Sequence, residues 1–527
     1  METLPLPLPL HLRKTAAVLI LSVLAGVGVA CDGKGPTGPE PVTGLSPSGG
    51  ARWVNDDAGL PVPPGSSCSH PGYTKIQDAV DAAFPGDKIY VCEGTYTEKV
   101  TIQGTGKDNI LLKSVQRWKA VIKAPTGMTG DVGDPDFRNS VVRVTGAHNV
   151  TILAFVISGP APGCSVTSVN YGVRVDNSGS ASILGNRITH IRSEPFVTCG
   201  SGAAVIVGRL SSASAQIIGN VFEDYQKNGP TVVNTGSSAE ILNNRVLGKG
   251  PTAVEVQNGI QVSGGATATV RHNFVSQHIY TVGGQGGTGL LFIGPGQVIS
   301  EHNTVPANDY GVYSLETPTG SSVKDSRFKS STYDGVVSDA TNNNQLTHNA
   351  SEHNAGTGIA LLTGAQNNSL VKNRVNDNED GGILLDNGST NSVKDNHVHT
   401  NGTPDDGADL TDGIRINAGS GNTISDNHLK RNVTHDCHDE TLTANTWTNN
   451  KAGSSYPPGL CGDDDADELE PLTNFGWDAN YPWYASYSEA VDFDWAVGYA
   501  EFDLDSLLQL LPAIRVTLGR PKPSPSQ

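Results

Sequence analysis

The sequence predicts an all-β solenoid, a stack of short repeats that each fold as strands joined by tight corners. Three observations predict it. First, a glycine is followed fourteen residues later by an asparagine at Gly172 and Asn186, Gly259 and Asn273, Gly289 and Asn303, Gly335 and Asn349, Gly382 and Asn396, and Gly413 and Asn427. In two further copies, Gly311 to Ser326 and Gly358 to Asn373, the step is fifteen. A fixed offset inside a repeat of roughly 20 to 30 residues marks units that bury their apolar side only against neighbours. Second, apolar residues fall at the first and third positions after each glycine, as in Val173 and Val175, Ile359 and Leu361, Ile383 and Leu385, and Ile414 and Ile416. That is the period of a strand. Third, the long 3.6-residue periodicity that helical repeats need is not visible.

Each part of the repeat has a physical reason. Glycine, without a side chain, suits the corner entering the strand, and asparagine, which tolerates left-handed backbone, suits a second corner. Asparagines stacked on successive turns would pair along the axis as ladders. The repeats GVRVDNSGSASILGNRI, GIALLTGAQNNSLVKNRV and GIRINAGSGNTISDNHL make the chain from Tyr73 to Cys461 resemble the right-handed parallel β-helix proteins of the pectin-lyase-like superfamily. The resemblance implies a right-handed single-stranded parallel β-helix, three sheets wound into a prism of about eleven to thirteen turns. Such prisms are common in secreted carbohydrate-active proteins and also occur in proteins with no chemistry.

In chain order, residues 1–31 read as an export signal: basic Arg13 and Lys14, an apolar run from Thr15 to Ala30, then Cys31. The run is short for a membrane span of about 20 residues. Cys31 is the expected lipidation site of a bacterial lipoprotein signal, which this stretch resembles except that Gly28 stands where a branched apolar residue is usual. Cleavage after Ala30 with simple secretion is the alternative. Residues 32–65, rich in Gly, Pro and Ser, predict a flexible linker. The solenoid domain is expected at 66–461. It opens with the capping-box pattern Thr74-Lys75-Ile76-Gln77 and a short helix whose face carries Ile76, Val80 and Phe84. In the family such a helix closes the open end of the prism, where bare strand edges invite association.

The chain has seven cysteines. Setting Cys31 aside, their spacing suggests the pairs Cys68 with Cys92, Cys164 with Cys199, and Cys437 with Cys461, out of fifteen possible connectivities. An even count in an exported chain favours disulfides over metal binding. Beyond Cys461, residues 462–515 form an acidic, aromatic segment and 516–527 a disordered tail. Between Asp463 and Asp505 there are thirteen acidic side chains and no Lys or Arg, which supplies much of the net charge of −18. Such a balance argues against nucleic-acid or anionic-membrane partners, leaving a lipid anchor as the membrane contact.

The return leg from asparagine to glycine is eight or nine residues in compact turns but longer at Asn244 to Gly259, Asn273 to Gly289 and Asn396 to Gly413. Insertions gathered at one corner mark the binding face of a solenoid. Its floor is expected to be the outward residues after each glycine: Arg174 and Asp176 at one end, an exposed apolar stripe of Leu291, Ile293, Tyr313, Leu315, Val337, Leu362 and Leu384 in the middle, and Arg415 with Asn417 at the other. A stripe of that size needs a partner, and the aromatic C-terminal segment folding back over it is the expected one.

The catalytic candidates are Asp339, Asp386, Asp412 and Arg415, with Tyr313, Leu315 and Asn417 as binding residues. Asp339 and Asp386, two turns apart, would stand roughly 9 to 10 Å from one another, at the upper limit for an inverting carboxylate pair. Asp405, Asp406 and Asp409 could bind calcium through hard oxygens or form a solvated turn. His397 and His428, stacked on adjacent turns, and His435 and His438, flanking Cys437, offer a minor metal-handling reading. A solvated polar column is the stronger one, and the scarcity of methionine disfavours a soft copper site. The catalytic motifs of polygalacturonases, calcium-dependent pectate lyases and alginate epimerases are absent, apart from a weak echo at Arg415-Ile416. The leading functional expectation is recognition of polysaccharide or another extended cell-surface partner without turnover. The alternative is a polysaccharide lyase, hydrolase or epimerase.

Overall fold

The computed structural model describes residues 49–463 apart from 58, 60, 166, 318–319 and 405–410. Cys31, the expected leader, the calcium candidates Asp405, Asp406 and Asp409, and the acidic segment expected to fold back all lie outside these residues. Successive strands pass in rotation to three sheets of 14, 15 and 15 strands, and each pairs in parallel with the strand one turn on. The first sheet runs from Val100–Gln103 to Ser455–Tyr456, the second from Ala51–Val54 to Thr446–Thr448, and the third from Gly94–Thr97 to Gly462–Asp463. The result is the expected parallel β-helix.

Register follows the alternation. On the first sheet Val336 pairs with Ile359, then Ile383, Ile414 and Cys437, and the whole inward column is buried in one continuous core. The helix Ile76–Ala82 caps that core, burying Ile76, Ala79 and Val80. All three anticipated disulfides are formed: Cys68–Cys92, Cys164–Cys199 and Cys437–Cys461. Among the described residues, no helix is long and apolar enough to cross a membrane.

Several expectations need correction. The solenoid starts earlier than residue 66, because Ala51–Val54 already pairs with Lys88–Val91 inside the stretch expected to be linker. That strand and the closing ones lack the glycine-to-asparagine spacing, so the turn count exceeds the expected range. The capping box does not form. Lys75 stands at the helix N-cap without a side-chain bond, and the Glu98 carboxylate accepts the N–H groups of Ile76 and Gln77 at 2.8 and 2.9 Å instead. Phe84 lies exposed beyond the helix end.

The corner chemistry also differs in detail. The repeat glycines do not adopt left-handed backbone. They are small because the chain passes close by: a Cβ on Gly382 would lie 2.3 Å from Val398 Cγ1 and 2.5 Å from Gly413 O. The left-handed residue is instead the one before the ladder asparagine at every rung but Asn445, such as Lys372 (φ 55°) before Asn373, Asp377 (φ 56°) before Asn378 and Asn367 (φ 54°) before Asn368.

The asparagines stack in three ladders, one at each corner. Between the second and third sheets the ladder runs from Asn186 to Asn450, with Ser326 standing in at one rung. Between the third and first sheets, Asn354, Asn378, Asn401 and Asn432 end on Asp436. Between the first and second, Asn344, Asn368, Asn391 and Asn422 end on Asn445. Asn373 is representative. Its Oδ1 accepts from Asn349 N and Nδ2 at 3.0 and 3.1 Å, and its Nδ2 donates to Asn396 Oδ1 at 3.0 Å and Leu346 O at 2.8 Å.

His278 occupies a comparable buried position. Its Nδ1–H donates to Asn308 Oδ1 at 2.7 Å and its Nε2 accepts from Tyr225 O–H. Burial holds its pKa down at about 4.

Both contacts can be tested. Asn373→Ala strands buried donors and acceptors on both neighbouring turns, so chemical denaturation should show a loss of about 3 kcal/mol or more, whereas a change under about 1 kcal/mol would contradict the ladder's role. His278 is neutral in the fold but gains a proton on unfolding below about pH 6.5, so the unfolded state binds more protons and stability falls with acidification from there to about pH 4. The loss is on the order of 3 kcal/mol, and a His278→Gln chain should show a flatter profile across that window.

Candidate functional site

Extended loops do gather at the corner leading into the first sheet. Residues 248–257 and 277–287 connect third-sheet strands to first-sheet strands there, and 124–139, 159–170 and 190–202 add to them nearer the N-terminus, whereas most of the stretch between Asn401 and Thr411 lies outside the described residues. Buried carboxylates hold several of these loops. Asp309 accepts from Tyr280 N at 2.7 Å and Gly287 N at 2.6 Å, and Glu255 accepts from Cys199 N and Gly200 N, both at 2.9 Å. At the N-terminal end of the floor, Arg174 is fully buried and pairs with Asp134 and Asp176 at 2.6 Å each. Arg143 pairs with Asp176 and Arg209 with Asp134, both at 2.8 Å. Burial pushes the Asp134 carboxyl up, but Arg209, the Asp136 N–H and Arg174 together hold it down at about 2. Such a network fixes the 124–139 loop to the sheet.

The middle of the floor is not the exposed stripe expected. Leu291, Tyr313, Val337 and Leu384 are buried, and Ile293, Leu315 and Leu362 are half-buried. Side chains one rung apart cover one another along the stack, and Tyr310 closes over Tyr313 edge to face at 5.3 Å between ring centroids. Tyr310 also meets Tyr333 at 5.2 Å, and Tyr333 is 36% exposed.

The carboxylate pair does not converge. Asp339 is buried, with Oδ2 accepting from Tyr313 O–H at 3.0 Å and Oδ1 without a partner. Desolvation and the adjacent Asp339 push the Tyr313 hydroxyl pKa well above its usual value. Asp386 lies two turns away beyond Leu362, and a register shift pairs it with Ala418 rather than Asn417.

Four other side chains do come together around the remaining candidates. Asp412 is buried, with Oδ2 accepting from Arg415 Nη1 at 2.9 Å and lying 3.0 Å from His438 Nδ1. Its Oδ1 accepts from His435 N at 3.0 Å and lies 3.1 Å from His435 Nδ1. Arg415 donates further to Glu440 Oε1 at 3.0 Å and to Asn417 Oδ1. The Tyr456 ring packs against His438 and His435, with centroids at 4.9 and 5.8 Å.

Asp412, Arg415 and Asn417 thus share a site, whereas Tyr313 and Leu315 lie elsewhere on the floor. Glu440 and Tyr456 were not anticipated. The signal for that last turn was present, because Asp436 stands fourteen residues before Asn450 in the place of the repeat glycine. Continuing the alternation from Asp436 puts His438 outward beside Arg415, as the pairing confirms. His397 and His428 do stack, at 5.1 Å, but on the third sheet and apart from the Asp412 group. Burial and the His428 charge keep the His397 pKa at about 4.

No curated protein matches the chain in sequence. Among solved structures, the periplasmic alginate epimerase AlgG is similar at 11% identity and a TM-score of 0.42, covering 73% of this chain and 83% of that one. A mannuronic acid specific polysaccharide family 6 lyase from human gut microbiota follows at 12% and 0.40, covering 70% and 81%. The DFA-IIIase from Arthrobacter chlorophenolicus A6 aligns at 17% and 0.41, covering 72% and 89%. The model of the right handed beta helix region matches residues 140–326 and 288–452, together more than half of the 527. With the three-sheet winding and corner ladders, this places the chain in the right-handed β-helix family.

Proposed function

We propose that this is an exported, lipid-anchored β-helix protein that recognises polysaccharide, or another extended cell-surface partner, along its first sheet without turning it over. The three disulfides support an oxidising destination and leave Cys31 as the seventh cysteine, available for lipid attachment. The observation that carries recognition is the exposed Tyr333 ring packed on Tyr310 beside the looped corner. Aromatic faces with a polar rim suit sugar rings, whose C–H faces stack and whose hydroxyls need nearby acceptors. Recognition is favoured over turnover because Asp339 is engaged by Tyr313 and separated from Asp386, so these two carboxylates do not face one another across a scissile bond.

Catalysis on polysaccharide is the second reading. It draws on the meeting of carboxylate, imidazole and guanidinium on the outward face of the first sheet, at Asp412, His438 and Arg415. There the charged groups are already paired with one another, which suits a structural cluster as well as a reactive one.

A panel of neutral and acidic polysaccharides tests both. The recognition reading expects saturable binding with no new reducing ends and no unsaturated product. Tyr333→Ala should weaken that binding roughly fivefold, about 1 kcal/mol, with the thermal midpoint unchanged. Product formation that disappears in Arg415→Ala would overturn it in favour of an enzyme.

A further inference from the structure

His438 stands between two carboxylates. Its Nδ1 is 3.0 Å from Asp412 Oδ2 and its Nε2 is 3.0 Å from Glu440 Oε1. With Nε2–H donating to Glu440, Nδ1 presents a lone pair to a carboxylate oxygen, an acceptor facing an acceptor. A proton on Nδ1, or a metal ion in its place, removes that repulsion. Arg415 Nη1, 2.9 Å from the same Oδ2 and 3.3 Å from Nδ1, supplies positive charge from one side. His435 Nδ1 converges on the same carboxylate from the other side, at Asp412 Oδ1. One ligand atom from each of Asp412, His435 and His438 lies within 4.8 Å of the others.

We propose that Asp412, His435 and His438 form a binding site for a divalent transition ion of the zinc class. This inference is independent of polysaccharide recognition. Ligands at about 2.0 to 2.2 Å around a tetrahedral ion stand roughly 3.3 Å apart; His435 Nδ1 lies 3.1 Å from Asp412 Oδ1 and His438 Nδ1 3.0 Å from Asp412 Oδ2, and the three ligand atoms lie within 4.8 Å of one another. Two imidazole nitrogens and one carboxylate oxygen form a borderline donor set, matched to zinc, cobalt or nickel rather than to calcium. Three protein ligands leave a fourth position for water or a ligand oxygen.

The surroundings fit as well. Glu440 fixes the His438 tautomer from the outer side, as carboxylates do behind metal-bound histidines, and Arg415 remains an outer partner of Asp412. Rigidity comes from the covalent frame. His435 and His438 bracket Cys437, which is disulfide-bonded to Cys461, and Asp436 between them ends an asparagine ladder. The side chain of Asp412 is fully buried and that of His438 nearly so, whereas His435 is 28% exposed and gives an ion a route in.

The test is calorimetric titration of the full chain, stripped with chelator and dialysed, with zinc chloride, accompanied by visible spectra with cobalt chloride. The proposal expects one tight zinc ion per chain and cobalt bands typical of a four- or five-coordinate nitrogen and oxygen site. His435→Ala should lower affinity at least tenfold, and Glu440→Gln, which keeps shape and removes charge, roughly ten- to a hundredfold. His428→Ala, on the third sheet, should leave it unchanged. Thermal melts of the metal-free variants check folding, and Glu440→Gln decides if His435→Ala proves unfolded. Absence of zinc binding, or equal binding by wild type and Glu440→Gln, would overturn the site.

Discussion

The amide of asparagine is the group on which this structure depends. At each corner the backbone leaves a sheet and its N–H groups lose their ladder partners while remaining buried, a state that costs free energy unless another acceptor is found. One side-chain amide answers both sides of the problem. Its oxygen accepts the backbone and side-chain N–H groups of the preceding rung, and its nitrogen donates to the next rung and to a main-chain carbonyl. A carboxylate has no donor and cannot continue the series, which is why carboxylates appear where ladders stop. Asp436 accepts from Asn432 at the last turn, and Asp439 accepts from Asn445 and from Trp447 Nε1.

The surface of the first sheet follows from that constraint. Rungs held about 4.8 Å apart fix the spacing of outward side chains in whole steps, so two carboxylates two rungs apart cannot close on a common atom. Asp339 and Asp386 show the consequence, since each finds separate surroundings. Convergence requires adjacent rungs plus a corner residue. Asp412 comes from the corner, Arg415 from one rung and His438 from the next, and together they make the densest polar group on the C-terminal part of the sheet. The end of the Asn354-to-Asp436 ladder lies within the same short segment as His435 and His438, so the corner that carries the site is also the corner that the ladder secures.

Much of the scaffold was legible because repetition averages out local ambiguity. Alternation after each repeat glycine, as at Ile359 and Leu361 following Gly358, recurs over many turns and fixes the inward face, and close cysteine spacing led to the three pairs that form. The remainder was hidden where one turn departs from the others or where contact is between turns. Glu98 caps the helix from a different segment, so the local Thr74 pattern misleads. The repeat glycines look like turn formers, but the conflict that Gly382 avoids is with Val398 across the core on the third sheet and with Gly413 on the next rung. Cover over Leu291 and Val337 arises from neighbours along the stack, which a list of outward positions does not convey. Glu440 and Tyr456 escaped notice because Asp436 replaces glycine in the final turn.

The central claim is that the corner ladders hold adjacent turns, and with them the Asp412 group, in place. Amide hydrogen exchange on the full chain tests it directly, comparing wild type with Asn401→Ala. Asn401 joins Asn378 on one side to Asn432 on the other. The account predicts lost protection on the turns around Asn378 and Asn432 and through His435 to His438, with the N-terminal turns unchanged. Loss confined to the substituted corner, or spread evenly over the whole solenoid, would contradict it.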